Sequence, residues 1–376
     1  MLKARLDKLH HKLGETVFLD ALQSHVTGQR KTRVDGAVTL LSLLILLIPV
    51  LLAVAGIYLA WIGFPHVLVL IVAGLLIALA VYLGPRLHRI PKDALGPDEL
   101  PQTFALIDAV GDRLIAPPIR YVVFDGLLNA GVSTIRNQHV LHIGLPLWLS
   151  LPREGRIAVL AHEQAHLVND DPRRSGLLGR ALEQLDHWDA LLAPDIARDW
   201  YTDEEIRVGR GIMSDIITGA VQGVIDLLRF TLLRLSYVRA QHAEYLADAL
   251  AMRVAGRDAM LAELDTLIGI EAVATIWRRA EPLPGESGRD FLYRIAADCR
   301  ALDPDTRAAA RARGLEQKLA LTDTHPPSHY RIAFLKSLEA PAVQPFTWDK
   351  WRRVEAEIDR HVAKIGDRLL LSLERQ

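Results

Sequence analysis

The chain has 376 residues, enough for one large domain or two modest ones, with 44 lysines and arginines against 45 aspartates and glutamates. That balance shows no basic excess and excludes a nucleic-acid-binding reading, while a single cysteine, Cys299, excludes an intramolecular disulfide and a thiolate-rich metal site. Half of the residues are hydrophobic and the mean hydropathy is positive, which points to a membrane segment.

Residues 1–35 are charged, with Leu6, Leu9, Leu13, Val17 and Ala21 at helical intervals, and predict an amphipathic segment lying before or on a membrane. Residues 36–85 then read as a two-span transmembrane hairpin. Ala37 to Trp61 carries no charge, and after the break "IGFPH" a second uncharged run extends from Val67 to Gly84. The apolar run begins too late and is too long for a cleaved signal peptide. Arg30, Lys31 and Arg33 precede the first span, Arg86, Arg89 and Lys92 follow the second, and the turn between has no lysine or arginine. The positive-inside rule therefore predicts an integral membrane protein with its N-terminus and everything after residue 90 in the cytoplasm.

Residues 95–340 have the composition of a globular domain, and 341–376 read as a helical C-terminal extension. "PDELPQTFALIDAVGDRL" has helical spacing, and "IRYVVF", "AGVSTI" and "HVLHI" read as short strands, with "DGLLN" as a turn between the first two. "LPREGRIAVLAHEQAHLVNDD" follows as a packed helix, with Ile157, Leu160, Ala161, Ala165 and Leu167 on its apolar positions. In Gly211–Leu235 the polar residues Asp215, Thr218, Gln222, Asp226 and Arg229 form one stripe. This predicts an amphipathic helix packed in the domain or on the membrane rather than a third span.

The chemistry is concentrated in "AHEQAHLVNDD". His162 and His166 are four apart, so on a helix they lie one turn apart on one face and can present imidazole nitrogens to one metal ion. Catalytic zinc takes three protein ligands plus a water. Glu163, directly after the first histidine, is placed to take a proton from that water as general base. A carboxylate is the natural third ligand, and "HAEYLADALAM" offers Glu244 and Asp248, again four apart, in an apolar helical pattern. Spacing alone leaves open whether these two acids meet a metal or form a solvated edge.

Four features together resemble the membrane zinc metallopeptidases that include HtpX and the CaaX prenyl proteases, of the gluzincin class. "HEQAHLVNDD" is similar to the family's zinc helix, with Asn169 and Asp171 at its characteristic asparagine and aspartate. "EYLAD" matches its Glu-x-x-x-Asp helix, "HPPSHYRI" its His-Pro-x-x-x-x-Arg element, and "NAGVST" beside "HVLHIG" its substrate-pairing edge strand. The resemblance implies Glu244 as third zinc ligand and Asp248 as the carboxylate that holds a zinc histidine. It further implies that His325 steadies the oxyanion, that Arg331 holds acidic groups near the site, and that Asn129, Ala130, Gly131 and Val132 bind extended substrate. One departure stands out. Where many members have a Ser-Arg pair ahead of the third-ligand helix, this chain has Ala240 and Gln241, with Arg239 beside them. The two further spans that the HtpX type carries between its zinc motifs are not carried over.

The expected fold is mainly α with a small antiparallel β-sheet, an α+β zincin-like catalytic domain, plus the N-terminal transmembrane hairpin. The expected function is that of a zinc metalloendopeptidase in a bacterial inner membrane, with one Zn2+ per chain, a polypeptide substrate that is itself membrane-bound or not, and the lipid bilayer as its partners. The substrate's identity and the oligomeric state have no signature in the sequence. The competing reading is a membrane scaffold or chaperone-like protein that keeps the zinc site with little catalysis, and intact Glu163 argues against it. An intramembrane protease is a second rival, but the zinc helix has only about twelve residues between polar flanks, against the ~20 of a span.

Overall fold

The computed structural model describes residues 33–85, 89–169, 176–192, 212–268, 277, 279–315, 326–339 and 344–373. The amphipathic segment expected at the N-terminus, Asp171 and His325 lie outside the described residues. In chain order the elements are α1 (Arg33–Gly63), α2 (Val67–Tyr82), α3 (Pro101–Leu114), β1 (Ile119–Asp125), β2 (Ala130–Ile135), β3 (Gln138–Gly144), α4 (Leu145–Ser150) and α5 (Arg153–Val168). They continue with α6 (Gly176–Leu192), α7 (Ile212–Ala255), α8 (Arg257–Ile268), α9 (Gly288–Arg300), α10 (Pro304–Leu315), α11 (Ser328–Ser337) and α12 (Trp351–Leu373). The chain divides into two compact units, one made of Arg30–Leu87 with Ser175–Val238, the other of His88–Arg174 with Arg239–Gln376.

In the first unit α1 has 31 residues, about 46 Å at 1.5 Å per residue, and exceeds a hydrocarbon core of about 30 Å. The shorter α2, of 16 residues, covers about 24 Å. The two approach closely at Gly56, where a Cβ would lie 2.9 Å from the Ala73 carbonyl oxygen. Their outer faces expose Leu40, Leu44, Leu51, Val54, Ile57, Leu68 and Leu75, as helices solvated by lipid do. At the end of α2 the carbonyl of Leu83 accepts from Gln184 Nε2 at 2.8 Å and Trp188 Nε1 at 2.9 Å, so α6 satisfies a helix-end acceptor. Ile45 of α1, Leu185 and Trp188 of α6, and Ile225 and Leu232 of α7 share one apolar core.

Within the polar stripe of α7, Asp226 is exposed. Thr218, Gln222 and Arg229 are half-buried, whereas Ile216, Ile217, Val221, Val224, Leu227 and Phe230 are exposed. Arg229 gathers Asp226 at 3.0 Å, Asp186 at 3.1 Å and Asp189 at 3.4 Å. Periodicity identifies a stripe but carries no sign: nothing in it says which side meets the solvent.

The second unit is built on a three-stranded sheet of order β1-β3-β2. Sequence reading expects an antiparallel sheet; β2 and β3 do pair antiparallel, but β1 and β3 pair parallel, so the sheet is mixed. The reason lies in the two connections. Arg136 and Asn137, both at positive φ (51° and 62°), close the β2–β3 hairpin through a two-residue turn. The "DGLLN" segment instead carries the chain past the end of β3. It does so because Gly144 lacks a side chain: a Cβ there would lie 1.9 Å from the Leu127 carbonyl oxygen. The outer edge of β1 is bridged by Leu95 at Val122, while β2 has no strand on its outer edge among the described residues.

α5 packs beneath the sheet, with Val159 against Ala130, Leu147 and Leu151. Leu100, Ile107, Val122, Leu141, Ile143 and Leu160 are buried in the same unit, and each such side chain contributes about 1.5–3 kcal/mol. At the crossing of α9 and α12, Gly288 and Gly366 meet backbone to backbone, and a Cβ on either would fall 2.1 Å from the other's helix. Gly288→Ala is therefore expected to lower stability by about 3 kcal/mol, read as a lower urea midpoint with unchanged slope. Gly131→Ala, with open space around its Cβ, should stay within about 0.5 kcal/mol of wild type.

Candidate metal centre

α5 delivers two imidazoles because its register is fixed by burial on nearly every side: Ile157, Ala158, Leu160, Ala161 and Ala165 are buried around His162 and His166. The Nε2 atoms of the two histidines lie 3.1 Å apart. From α7, Glu244 brings Oε2 to 3.5 Å from His162 Nε2 and Oε1 to 3.5 Å from His166 Nε2. All three residues are buried, and their ligand atoms lie within 4.8 Å of one another. Tetrahedral ligands at about 2.05 Å from zinc stand about 3.3 Å from each other, so this spacing fits the ion.

The other nitrogen of His162 decides its role. Nδ1 lies 3.0 Å from Asp248 Oδ1, which favours the tautomer that donates from Nδ1 and leaves Nε2 as a lone-pair donor. Asp248, fully buried one turn beyond Glu244, is held in turn by Arg331, whose Nε donates to Oδ2 at 2.7 Å and Nη2 to Oδ1 at 2.5 Å. Burial works against charge on Asp248, but Arg331 and His162 hold its carboxyl below the usual range. Burial likewise opposes charge on His162, yet Asp248 and Glu244 raise its imidazolium to about 10. A pocket that stabilises a positive charge at these donors suits a metal cation.

Glu163 is buried on α5 beside the ligands. Asn169 caps the same helix through its N–H to the Ala165 carbonyl at 3.0 Å. Asn129 ends the loop before β2 and accepts from Ala130 N–H through its side chain at 2.9 Å, and Ala130, Gly131 and Val132 open the strand itself. Of the nearby histidines, His142 pairs with Ser133 and His139 with Thr134 across the β2–β3 ladder, both at 3.0 Å. Ala240 and Gln241 are buried on α7, and Arg239 is exposed. Cys299 is buried on α9, where burial pushes its thiol up to about 11.

Two residues escape sequence reasoning. Gln164, inside the zinc motif, is buried and donates from Nε2 to the Ile107 carbonyl of α3 at 3.0 Å. Glu263 of α8 is also buried, and its charge adds to those of Asp248 and Glu244 in stabilising the Arg331 guanidinium. An acid between Met260 and Leu264 on an apolar helix face is the only signal for Glu263, and it does not name a partner.

Two histidines from one buried helix and a glutamate from another converge with the spacing a metal ion needs. The model for Peptidase family M48 matches residues 116–339, more than half of the chain, and the chain belongs to that family of membrane zinc metallopeptidases, the HtpX and CaaX-prenyl-protease type. No curated protein and no solved structure gives a match.

Proposed function

We propose that the protein is a membrane-anchored endopeptidase that cleaves extended polypeptides, in quality control or processing of membrane proteins. The observation that carries this is the convergence of His162, His166 and Glu244 at 3.1–3.5 Å with Glu163 buried beside them. His162, His166 and Glu244 would hold the zinc ion, which when bound supplies the Lewis acidity that makes water a nucleophile near neutral pH. Glu163 takes the proton from the attacking water and returns it to the leaving amine. The open edge from Asn129 to Val132 pairs with the substrate backbone by strand addition. Asp248, fixed by Arg331, keeps the His162 ring oriented, and Asn169 and Asp171 are assigned to support the zinc ligands, so that loss of Asp171 weakens zinc binding without abolishing it. His325 donates to the carbonyl oxygen as negative charge develops on it. Intact Glu163 argues against the scaffold reading.

Both ends of the α1–α2 hairpin are assigned to the cytoplasm of a bacterial inner-membrane protein, from the flanking arginines and lysines. The outward apolar face of α7, Ile216 to Phe230, is assigned to lipid, because its exposed large side chains Ile216, Ile217, Val221, Val224, Leu227 and Phe230 suit a hydrocarbon solvent.

The purified chain in detergent, offered casein, tests the reading. Cleavage is expected to stop with a zinc chelator and return with added zinc. Cleavage indifferent to both would overturn it.

A further inference from the structure

The C-terminal helix α12 and helix α3 both lie outside the residues matched by the family model, yet they grip the zinc helix at two places. α3 cannot cap itself. Its N-cap residue is Leu100, which makes no side-chain cap, and Pro101 at its first position has no N–H. The next two donors go to one carboxylate: Glu357 of α12 accepts from Gln102 N at 2.8 Å, from Thr103 N at 2.8 Å and from Thr103 Oγ1 at 2.9 Å. Phe104 N donates to the Leu100 carbonyl at 2.9 Å, which completes the turn. Glu357 is buried, so its charge is committed to the positive end of α3.

α3 in turn holds the zinc motif. Gln164, the residue after Glu163, donates to the Ile107 carbonyl at 3.0 Å, and Gly111 makes the room, since a Cβ there would lie 2.5 Å from Gln164 Oε1. Glu355, about 200° round α12 from Glu357, grips the first turn of α5 directly. It accepts from Arg153 Nε at 3.0 Å and Nη2 at 2.9 Å, and from Arg156 Nη1 at 3.4 Å. Arg156 also donates to the Trp148 carbonyl at 2.9 Å, with its guanidinium 5.4 Å from the Trp148 ring and 6.0 Å from that of Trp351. Further along, Leu369 packs on Gly126, in the connection that leads to Asn129.

We infer that α12 is a brace for the catalytic helix and that Glu357 is a positioning residue for Glu163, acting through α3 and Gln164. The inference rests on the peptidase reading above. General-base catalysis needs Glu163 within hydrogen-bond reach of its proton, and a small displacement of its helix is costly to rate without removing a ligand.

The test is a double-mutant cycle on the full chain in detergent, with Glu357→Gln, Gln164→Ala and the pair. For each, kcat and KM on a casein-derived peptide are read with zinc per chain and hydrogen exchange of the Gln102 and Thr103 amides. Each single change is expected to lower kcat about tenfold, with KM and zinc content unchanged, and the pair to do little worse than either alone. Exchange at Gln102 and Thr103 should rise at least about tenfold in Glu357→Gln and stay at the wild-type rate in Gln164→Ala. If Glu357→Gln does not fold, Thr103→Val, which removes one of the contacts, should move kcat in the same direction by less. Wild-type kcat per zinc-loaded chain in Glu357→Gln, or losses that multiply to about a hundredfold in the pair, would overturn the inference. A wild type that cleaves nothing sinks the peptidase reading instead, before any variant is compared.

Discussion

Glu163→Gln is expected to lower kcat/KM for peptide cleavage by about a thousandfold while the chain still holds one zinc. The substitution keeps size and hydrogen-bonding shape but removes the base, and proton transfer by a positioned carboxylate contributes about 10²–10⁴ in rate. Zinc retention follows from geometry: the converging donors are His162 Nε2, His166 Nε2 and the Glu244 carboxylate, and none belongs to Glu163. Steady-state kinetics beside metal analysis checks both halves. Activity within tenfold of wild type would assign the base elsewhere. The same variant, inactive but loaded, is a natural trap for substrates in a membrane preparation.

The largest stability effect is expected at Asp248. Asp248→Asn keeps the volume but removes the carboxylate that pairs with the Arg331 guanidinium, 3 % exposed, and leaves it only the charges of Glu244 and Glu263. Breaking a buried pair in this way costs about 3–5 kcal/mol, which for a unit of this size lowers Tm on the order of 10 °C. The sign on pH follows from the carboxyl itself. Its folded-state pKa lies below the ordinary value, so its stabilisation is present above about pH 4 and is lost as pH falls through the folded pKa. Asp248→Asn should flatten that acid limb, and zinc affinity should weaken about 10–100-fold because the His162 ring loses its acceptor. Asp248→Asn combined with Arg331→Met should be more stable than Asp248→Asn alone, since the guanidinium is no longer buried without its hydrogen-bonded carboxylate. A double variant less stable than the single would mean that Arg331 stabilises the unit through other contacts.

The metal centre was legible in the sequence to the extent that local spacing defines it. His162, Glu163 and His166 share a helix, and four-residue spacing fixes their common face before any tertiary contact is known. Glu244 was legible only as one of two acids on an apolar helix; resemblance chose it over Asp248, and the structure places Glu244 against the imidazole Nε2 atoms and Asp248 against Nδ1. The strands were legible from their β-rich runs, but their order was not. A turn signal at "DGLLN" suggests neighbouring antiparallel strands, whereas β3 inserts between β1 and β2 because Gly144 lets the connection cross its end. The polar stripe of α7 was legible and its orientation was not. Glu357 and Gln164 had no signal at all: they meet α3 across 255 and 57 residues of sequence, and no spacing rule reaches that far.

Zinc K-edge X-ray absorption on the purified chain, with zinc per chain measured on the same sample, tests the central claim most directly. One zinc per chain is expected, with two imidazole nitrogens and oxygen donors at about 2.0–2.2 Å, and Glu244→Ala should lose most of the metal. A sulfur in the shell, a site built of oxygens alone, or zinc content indifferent to Glu244 would contradict the His162–His166–Glu244 centre.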